Sequence, residues 1–176
     1  MKKSIIIYGS QYGTTENYAK ELGKQTGIEV LSFQNVKTLN EYEQVVYFGG
    51  LYAGSVKGLK QTMKMVPKGV KVLIVTVGLA SDREENMPHI QNAIQKQVSP
   101  ELLERAECFH LRGGIDYKKL SFKHKMMMAA MCQALKAKPV EKRSDDDVVI
   151  IESYNKKVDF TDFTKLEPII QVIQKD

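Results

Sequence analysis

Ser4-Ile-Ile-Ile-Tyr-Gly-Ser-Gln-Tyr-Gly-Thr-Thr-Glu16 is the stretch on which the reading of this chain turns. A β-branched run, Ser4 to Tyr8, gives way to a Gly- and Thr-rich turn, and then to a helical pattern with Tyr18, Ala19 and Leu22 facing one way. This is strand, loop, helix. The loop sets the hydroxyls of Ser10, Thr14 and Thr15 and a run of backbone N–H groups at a helix N-terminus, where the partial positive charge favours an anion. Gly13 allows close backbone approach. The loop has neither the Gly-x-x-x-x-Gly-Lys pattern nor Gly-x-Gly-x-x-Gly, and it contains no lysine. A dianionic monophosphate held by hydroxyls and amides is therefore expected, against the plainer alternative of a Thr-capped helix after a glycine turn.

Outward from this unit the alternation continues. Strands are predicted at Glu29 to Phe33, Gln44 to Phe48, Lys71 to Val77 and Glu107 to Leu111, and helices at Val56 to Val66 and Met87 to Val98. The third strand is apolar enough to be buried on both faces. Such spacing predicts right-handed crossovers and a doubly wound parallel sheet covered on both sides. After Gly113-Gly114 the alternation breaks: Lys119 to Ala137 reads as helix, Lys138 to Asp147 as a charged connection and Val148 to Ile151 as another β-like run. Residues from about 115 to 154 are read as an insertion in one domain, 1–176. A last helix, from near Asp162 to Ile173 and capped by Asp159 or Thr161, returns to the sheet.

Two further loops leave the same edge, where open α/β sheets bind ligands. Gly50-Leu-Tyr-Ala-Gly-Ser55 follows strand three and Val77-Gly-Leu-Ala-Ser-Asp82 follows strand four. With Tyr52 or Leu51 on one side and Leu79 on the other, they would enclose a flat ring; otherwise Tyr52 simply covers a loop.

Composition narrows the function classes. The chain has 176 residues, 43% hydrophobic and 27% charged, enough for one globular core. No apolar run reaches the roughly 20 residues of a membrane span, and the polar turn after Tyr8 rules out a signal-peptide core, so a cytoplasmic location is expected. Cys108 and Cys132, both read as packing residues, suggest neither a disulfide framework nor a zinc site. His89, His110 and His124 are expected at the surface or at strand ends, and Asp145-Asp146-Asp147 as a solvated turn rather than a cation site. No metal is expected. A phosphoacceptor module is excluded, because Ser10 and Gly49 stand where it needs acidic residues.

The net charge of +5 is unevenly spread. Tyr117 to Arg143 holds eight basic residues against Glu141, a net +7, which leaves 18 basic and 20 acidic residues, or −2, elsewhere. An anionic partner should meet this segment. Nucleic acid is not expected, since only Tyr117 and Phe122 accompany the lysines. Met126 to Leu135 is an uncharged run flanked by lysines. As a helix of about 15 Å it suits a lipid interface, with peripheral membrane contact through Lys118 to Arg143 and membrane quinone within reach. The alternative is a methionine stripe that only packs on the body.

Ser10-x-Tyr-Gly-x-Thr15 resembles the phosphate loop of flavodoxins, in its usual place after strand one. The resemblance implies a flavodoxin-like α/β fold, a doubly wound five-stranded parallel sheet in the order 2-1-3-4-5 with a helical insertion after strand five, and FMN as cofactor. It covers nearly the whole chain. Tyr47-Phe-Gly-Gly-Leu-Tyr-Ala-Gly-Ser55 and Leu111-Arg-Gly-Gly-Ile-Asp-Tyr117, with the basic, Met-rich helix that follows, are similar to the menaquinone-dependent protoporphyrinogen IX dehydrogenase branch. Carried over residue by residue, it assigns Ser10, Gln11, Tyr12, Gly13, Thr14 and Thr15 to the phosphate. Leu51, Tyr52, Ala53, Gly54 and Ser55, with Gly78 and Leu79, go to the isoalloxazine ring, Gly54 permitting a peptide flip beside flavin N5. The flavin does the chemistry, so no catalytic side chain is required. The implied function is an FMN-dependent oxidoreductase linked to protoporphyrinogen and quinone; the alternative is a flavodoxin-type electron carrier serving protein redox partners.

Overall fold

The computed structural model describes residues 3–52 and 54–175. Five strands run parallel in one sheet: β1 (Ser4–Gly9), β2 (Glu29–Ser32), β3 (Gln44–Tyr52), β5 (Lys71–Gly78) and β6 (Ala106–Arg112), ordered β2-β1-β3-β5-β6. A two-residue strand, β4 (Ser55–Val56), pairs antiparallel with the end of β3. Counting only the parallel strands, this is the expected 2-1-3-4-5 order.

The strands read as continuous apolar runs because both faces are covered. On one face Ile5, Ile7, Val45, Tyr47, Val72 and Ile74 pack under α2 (Leu59–Met63), α3 (Met87–Gln95) and α4 (Pro100–Leu103). On the other, Ile6, Val46, Phe48, Leu73, Val75 and Val77 pack under α1 (Thr14–Thr26) and the C-terminal α7 (Glu167–Gln174). Each such Ile, Leu or Phe contributes about 1.5–3 kcal/mol by leaving water.

Several elements differ from the sequence reading. Val56 is a strand residue, and the helix after it starts only at Leu59, because Gly58 sits at φ 74° immediately before it. Val148 to Ile151 is helical, within α6 (Asp145–Ser153). β-Branched propensity is overruled there by a capping box: the Ser144 hydroxyl accepts from Asp147 N–H and the Asp147 carboxylate from Ser144 N–H, with three acids in the first turn. The last helical segment is a 3-10 turn, Phe163–Leu166, leading into α7, and its cap is Asp162 rather than Asp159 or Thr161. Cys108 is exposed, not core, because β6 is the sheet edge.

The insertion has its own neck. β7 (Gly114–Asp116) and β8 (Lys157–Asp159) pair antiparallel, and between them lie α5 (Phe122–Ala137), capped by Ser121, and α6. Ile115, Tyr117 and Leu120 form a small third core with Tyr12, Leu79, Met128, Tyr154 and Val158. Among the described residues no helix is long and apolar enough to cross a membrane.

Tyr18 of α1 ties the layers together beneath this neck. Its buried hydroxyl donates to Arg112 O at the end of β6 and accepts from Asp162 N–H, both at 2.8 Å. Tyr18→Phe leaves both backbone groups unpaired and should cost about 1–3 kcal/mol. A urea titration would read this as a lower midpoint at unchanged slope; an unaltered midpoint would show the hydroxyl to be dispensable.

Candidate functional site

Because β1, β3, β5 and β6 are parallel and in register, their C-terminal ends meet at one edge: Gly9 lies beside Gly49, Gly50 beside Val77, and Gly78 beside Arg112. The loops that leave them enclose a cleft lined by Gln11, Tyr12, Thr14, Thr15, Gly50, Leu51, Tyr52, Val77, Gly78, Gly113 and Gly114. Glycine is required where the walls come closest. A Cβ on Gly113 would lie 2.9 Å from Val77 Cγ1 and 3.3 Å from Thr14 Cγ2.

The first wall is the β1–α1 loop. Gly13, at φ 100°, is the N-cap of α1 and gives it no side-chain cap, so the amides of the first turn face outward. The Ser10 hydroxyl accepts from Gly13 N–H at 3.0 Å and so fixes the loop. Thr14 opens the helix and Thr15 is buried beside Gly50, whose missing Cβ would stand 3.1 Å from Thr15 Oγ1. The charge missing from this loop arrives from elsewhere. Lys57 Nζ donates to Gln11 Oε1, while its backbone is pinned by the Tyr47 hydroxyl, which donates to Lys57 O, and by its own N–H to Gly50 O.

The second wall is the β3–β4 hairpin. Leu51 pairs with Val56 and Tyr52 with Ser55, and Gln97 clamps the hairpin by accepting from Val56 N–H and donating to Val56 O. Gly54 takes φ 72° at the tip. Ala53 lies outside the described residues. The Tyr52 hydroxyl is buried without a hydrogen-bond partner.

Of the residues singled out in the sequence, Gln11, Tyr12, Thr14, Thr15, Leu51, Tyr52 and Gly78 therefore share one cleft. Ser10 and Gly13 shape the β1–α1 loop beside it, Gly54 and Ser55 form the hairpin tip, and Leu79 packs on the insertion core of Ile115, Tyr117 and Leu120.

Two features of the insertion were not foreseen. His124 is buried rather than superficial: the Ser121 cap accepts from its N–H and fixes it in the first turn of α5. There the Tyr12 hydroxyl hydrogen-bonds to His124 Nδ1, and the imidazole lies 3.5 Å, centroid to centroid, from the Tyr52 ring. Burial pushes this histidine below its usual range. The acidic triplet is not a solvated turn either. Asp146 accepts from Ser81 N–H, the Ser81 hydroxyl, Asn86 and Arg112, and so clamps α6 to the β5–α3 loop. Arg112 also donates to Leu79 O and lies over the Phe160 ring. Asp147 accepts from Lys138. His110, a buried strand-end histidine, bonds Thr76 and Ala80 O through its two ring nitrogens and supports the same loop. Among the described residues no group of three or more His, Cys, Asp or Glu side chains is arranged to hold a metal ion.

A family model for the flavodoxin domain matches residues 5–142. Among solved structures the chain is similar to a flavoprotein in complex with FMN from Lactobacillus acidophilus NCFM, at 11% identity over 64% of this chain and 93% of that one, with a TM-score of 0.43. It is also similar to a flavodoxin variant from Fusobacterium nucleatum bound to flavin mononucleotide (16% identity, 66% and 71% covered, TM-score 0.40). A flavodoxin from the domain Archaea matches at 15% identity, 66% and 87% covered, with a TM-score of 0.38. No curated protein matches.

Burial alone would raise the Asp146 carboxyl, but hydrogen bonds from Ser81 and Asn86 and the Arg112 guanidinium outweigh it and hold the group below the usual aspartate range. A depressed folded value stabilises the fold above the ordinary value and is lost as pH falls through the depressed one. Asp146→Asn should therefore cost about 2–4 kcal/mol at neutral pH. The gap to the wild type should shrink below about pH 4. Urea midpoints at both pH values check this; an equal gap at both would show that the charge is not what clamps α6.

Proposed function

The chain belongs to the flavodoxin domain family, and from that premise we propose that its cleft holds FMN and that the protein is an FMN-dependent oxidoreductase linking a porphyrinogen to membrane quinone. One observation carries the cofactor: Thr14 and Thr15 at the uncapped N-terminus of α1 line a glycine-walled cleft together with Tyr52, and Lys57 Nζ reaches Gln11 on its wall. The residues fit the group. The outward amides and Lys57 suit a phosphate, glycine at 50, 78 and 113 keeps the walls free of side chains, and the unpartnered Tyr52 hydroxyl has a bond to give. FMN, when bound, supplies the electron chemistry by accepting electrons in pairs and passing them on singly. The chain's part is to grip it, and to present at the hairpin a left-handed Gly54 that tolerates a change of peptide orientation.

The insertion favours an enzyme at an interface over a carrier docking on proteins. α5 is apolar on two sides. His124, Met128 and Cys132, one turn apart, face the body, whereas Phe122 (79% exposed) and Met126 (59%) face outward among Lys118, Lys119, Lys123 and Lys125. An outward apolar face ringed by lysines suits an anionic lipid surface, in which quinone dissolves.

The purified chain titrated with FMN should quench the flavin fluorescence at one equivalent. Lys57→Ala should weaken the complex roughly tenfold or more, as loss of a charge-assisted bond does. Porphyrinogen-dependent reduction of quinone by the loaded protein tests the reaction; electron uptake only from a reductase would identify a carrier. Separately, the chain should sediment with phosphatidylserine vesicles at low salt, and Lys123→Glu with Lys125→Glu should release it. Failure to sediment would end the interfacial reading.

A further inference from the structure

The cleft has a volume of about 60 Å³, whereas sites for ligands of this size run to roughly 300 Å³ or more. The side chain standing between the two tyrosines of the cleft belongs to neither binding loop: it is His124, reaching in from the insertion. The residue is 8% exposed. It lies against Tyr52 at 3.5 Å and, edge-on, 5.8 Å from Tyr12, to whose hydroxyl it is hydrogen-bonded.

The geometry points to His124 as a displaceable plug, carried by the first turn of α5, that fills the slot between Tyr12 and Tyr52 and withdraws when FMN binds. This rests on the FMN reading above and adds to it a gate built from the insertion. Three observations carry it. The Tyr52 hydroxyl, buried and unpartnered, shows that the plugged arrangement leaves a polar group unsatisfied, which disfavours it by comparison with one that gives that hydroxyl a partner. In the sixteen-residue α5 only His124 and Cys132 are buried, so withdrawing the first turn gives up little apolar contact. The rear of the insertion is held separately, by Asp146 to Ser81, Asn86 and Arg112 and by Asp147 to Lys138, so the front moves without undocking the whole.

The three histidines provide the test. His89 is exposed, and His110 is buried with both ring nitrogens bonded, so against diethyl pyrocarbonate they serve as reactive and protected standards for His124. Carbethoxylation of His124, read by peptide mass spectrometry against His89, should rise severalfold when saturating FMN is added to the wild-type chain. Since a closed fraction taxes apparent affinity, His124→Ala should also bind FMN more tightly, about tenfold if one molecule in ten is open. Unchanged or reduced reactivity of His124 with FMN bound would overturn the proposal, as would weaker binding by His124→Ala, which would make the imidazole a contact of the flavin rather than its competitor. FMN bound by neither form would remove the cofactor reading itself, and the plug with it, an outcome distinct from the other two.

Discussion

The parallel register of β1, β3, β5 and β6 is the constraint on which the rest depends. Backbone hydrogen bonds set Gly9 beside Gly49, Gly49 beside Thr76, and Gly78 beside Arg112, so four chain segments distant in sequence must leave the sheet along one line. The helices can then return only over the faces, which is why each strand alternates its side chains between two cores, Ile5 and Ile7 to one and Ile6 to the other. A ligand site at this edge needs no dedicated scaffold. It needs small residues where the walls approach, and the chain has glycine at 50, 78, 113 and 114.

Within that plan the insertion is attached at its neck and again through Asp146. The neck strands β7 and β8 continue directly from the edge, and Asp146 reaches across to the β5–α3 loop, taking hydrogen bonds from a backbone amide, a hydroxyl, a carboxamide and a guanidinium. A buried carboxylate with so many donors is specific in a way that apolar packing is not, because any other docking would leave the charge without partners. The same clamp holds Arg112, which also secures Leu79 O. Leu79 thereby packs on the insertion's core, as does the cleft residue Tyr12. The insertion and the cleft are one structure rather than an appendage beside a site.

The sequence made the five parallel strands and the strand–loop–helix start legible, because those rest on local pattern, β-branched runs closed by glycine and hydroxyls at a helix start; the strand order came with the resemblance. It misled where two local signals competed. Val148 to Ile151 is β-branched, yet the reciprocal Ser144–Asp147 cap commits the segment to helix, and that signal was visible as a Ser three residues before an acid. The helix expected from Val56 is preempted by Gly58, whose left-handed backbone delays it by one turn. His124 and Lys57 were out of reach of pattern altogether. The Tyr12–His124 bond joins residues 112 apart and Lys57 meets Gln11 across 46, pairings that exist only once the sheet has brought its loops together.

The two apolar sides of α5 bear on why such an insertion is kept. A helix that merely packed on the body would turn one stripe inward and expose polar residues elsewhere. Here Met128 and Cys132 face in, but Phe122 and Met126 lie largely in water, and burying a side chain of that size is worth about 1.5–3 kcal/mol. Their exposure forgoes that free energy. On the interfacial reading proposed above, the flanking lysines would favour a negative surface, and the slight negative charge of the rest of the chain would turn its other faces away. The first turn of α5 carries both the outward Phe122 and the inward His124, so the two side chains ride on one segment of backbone.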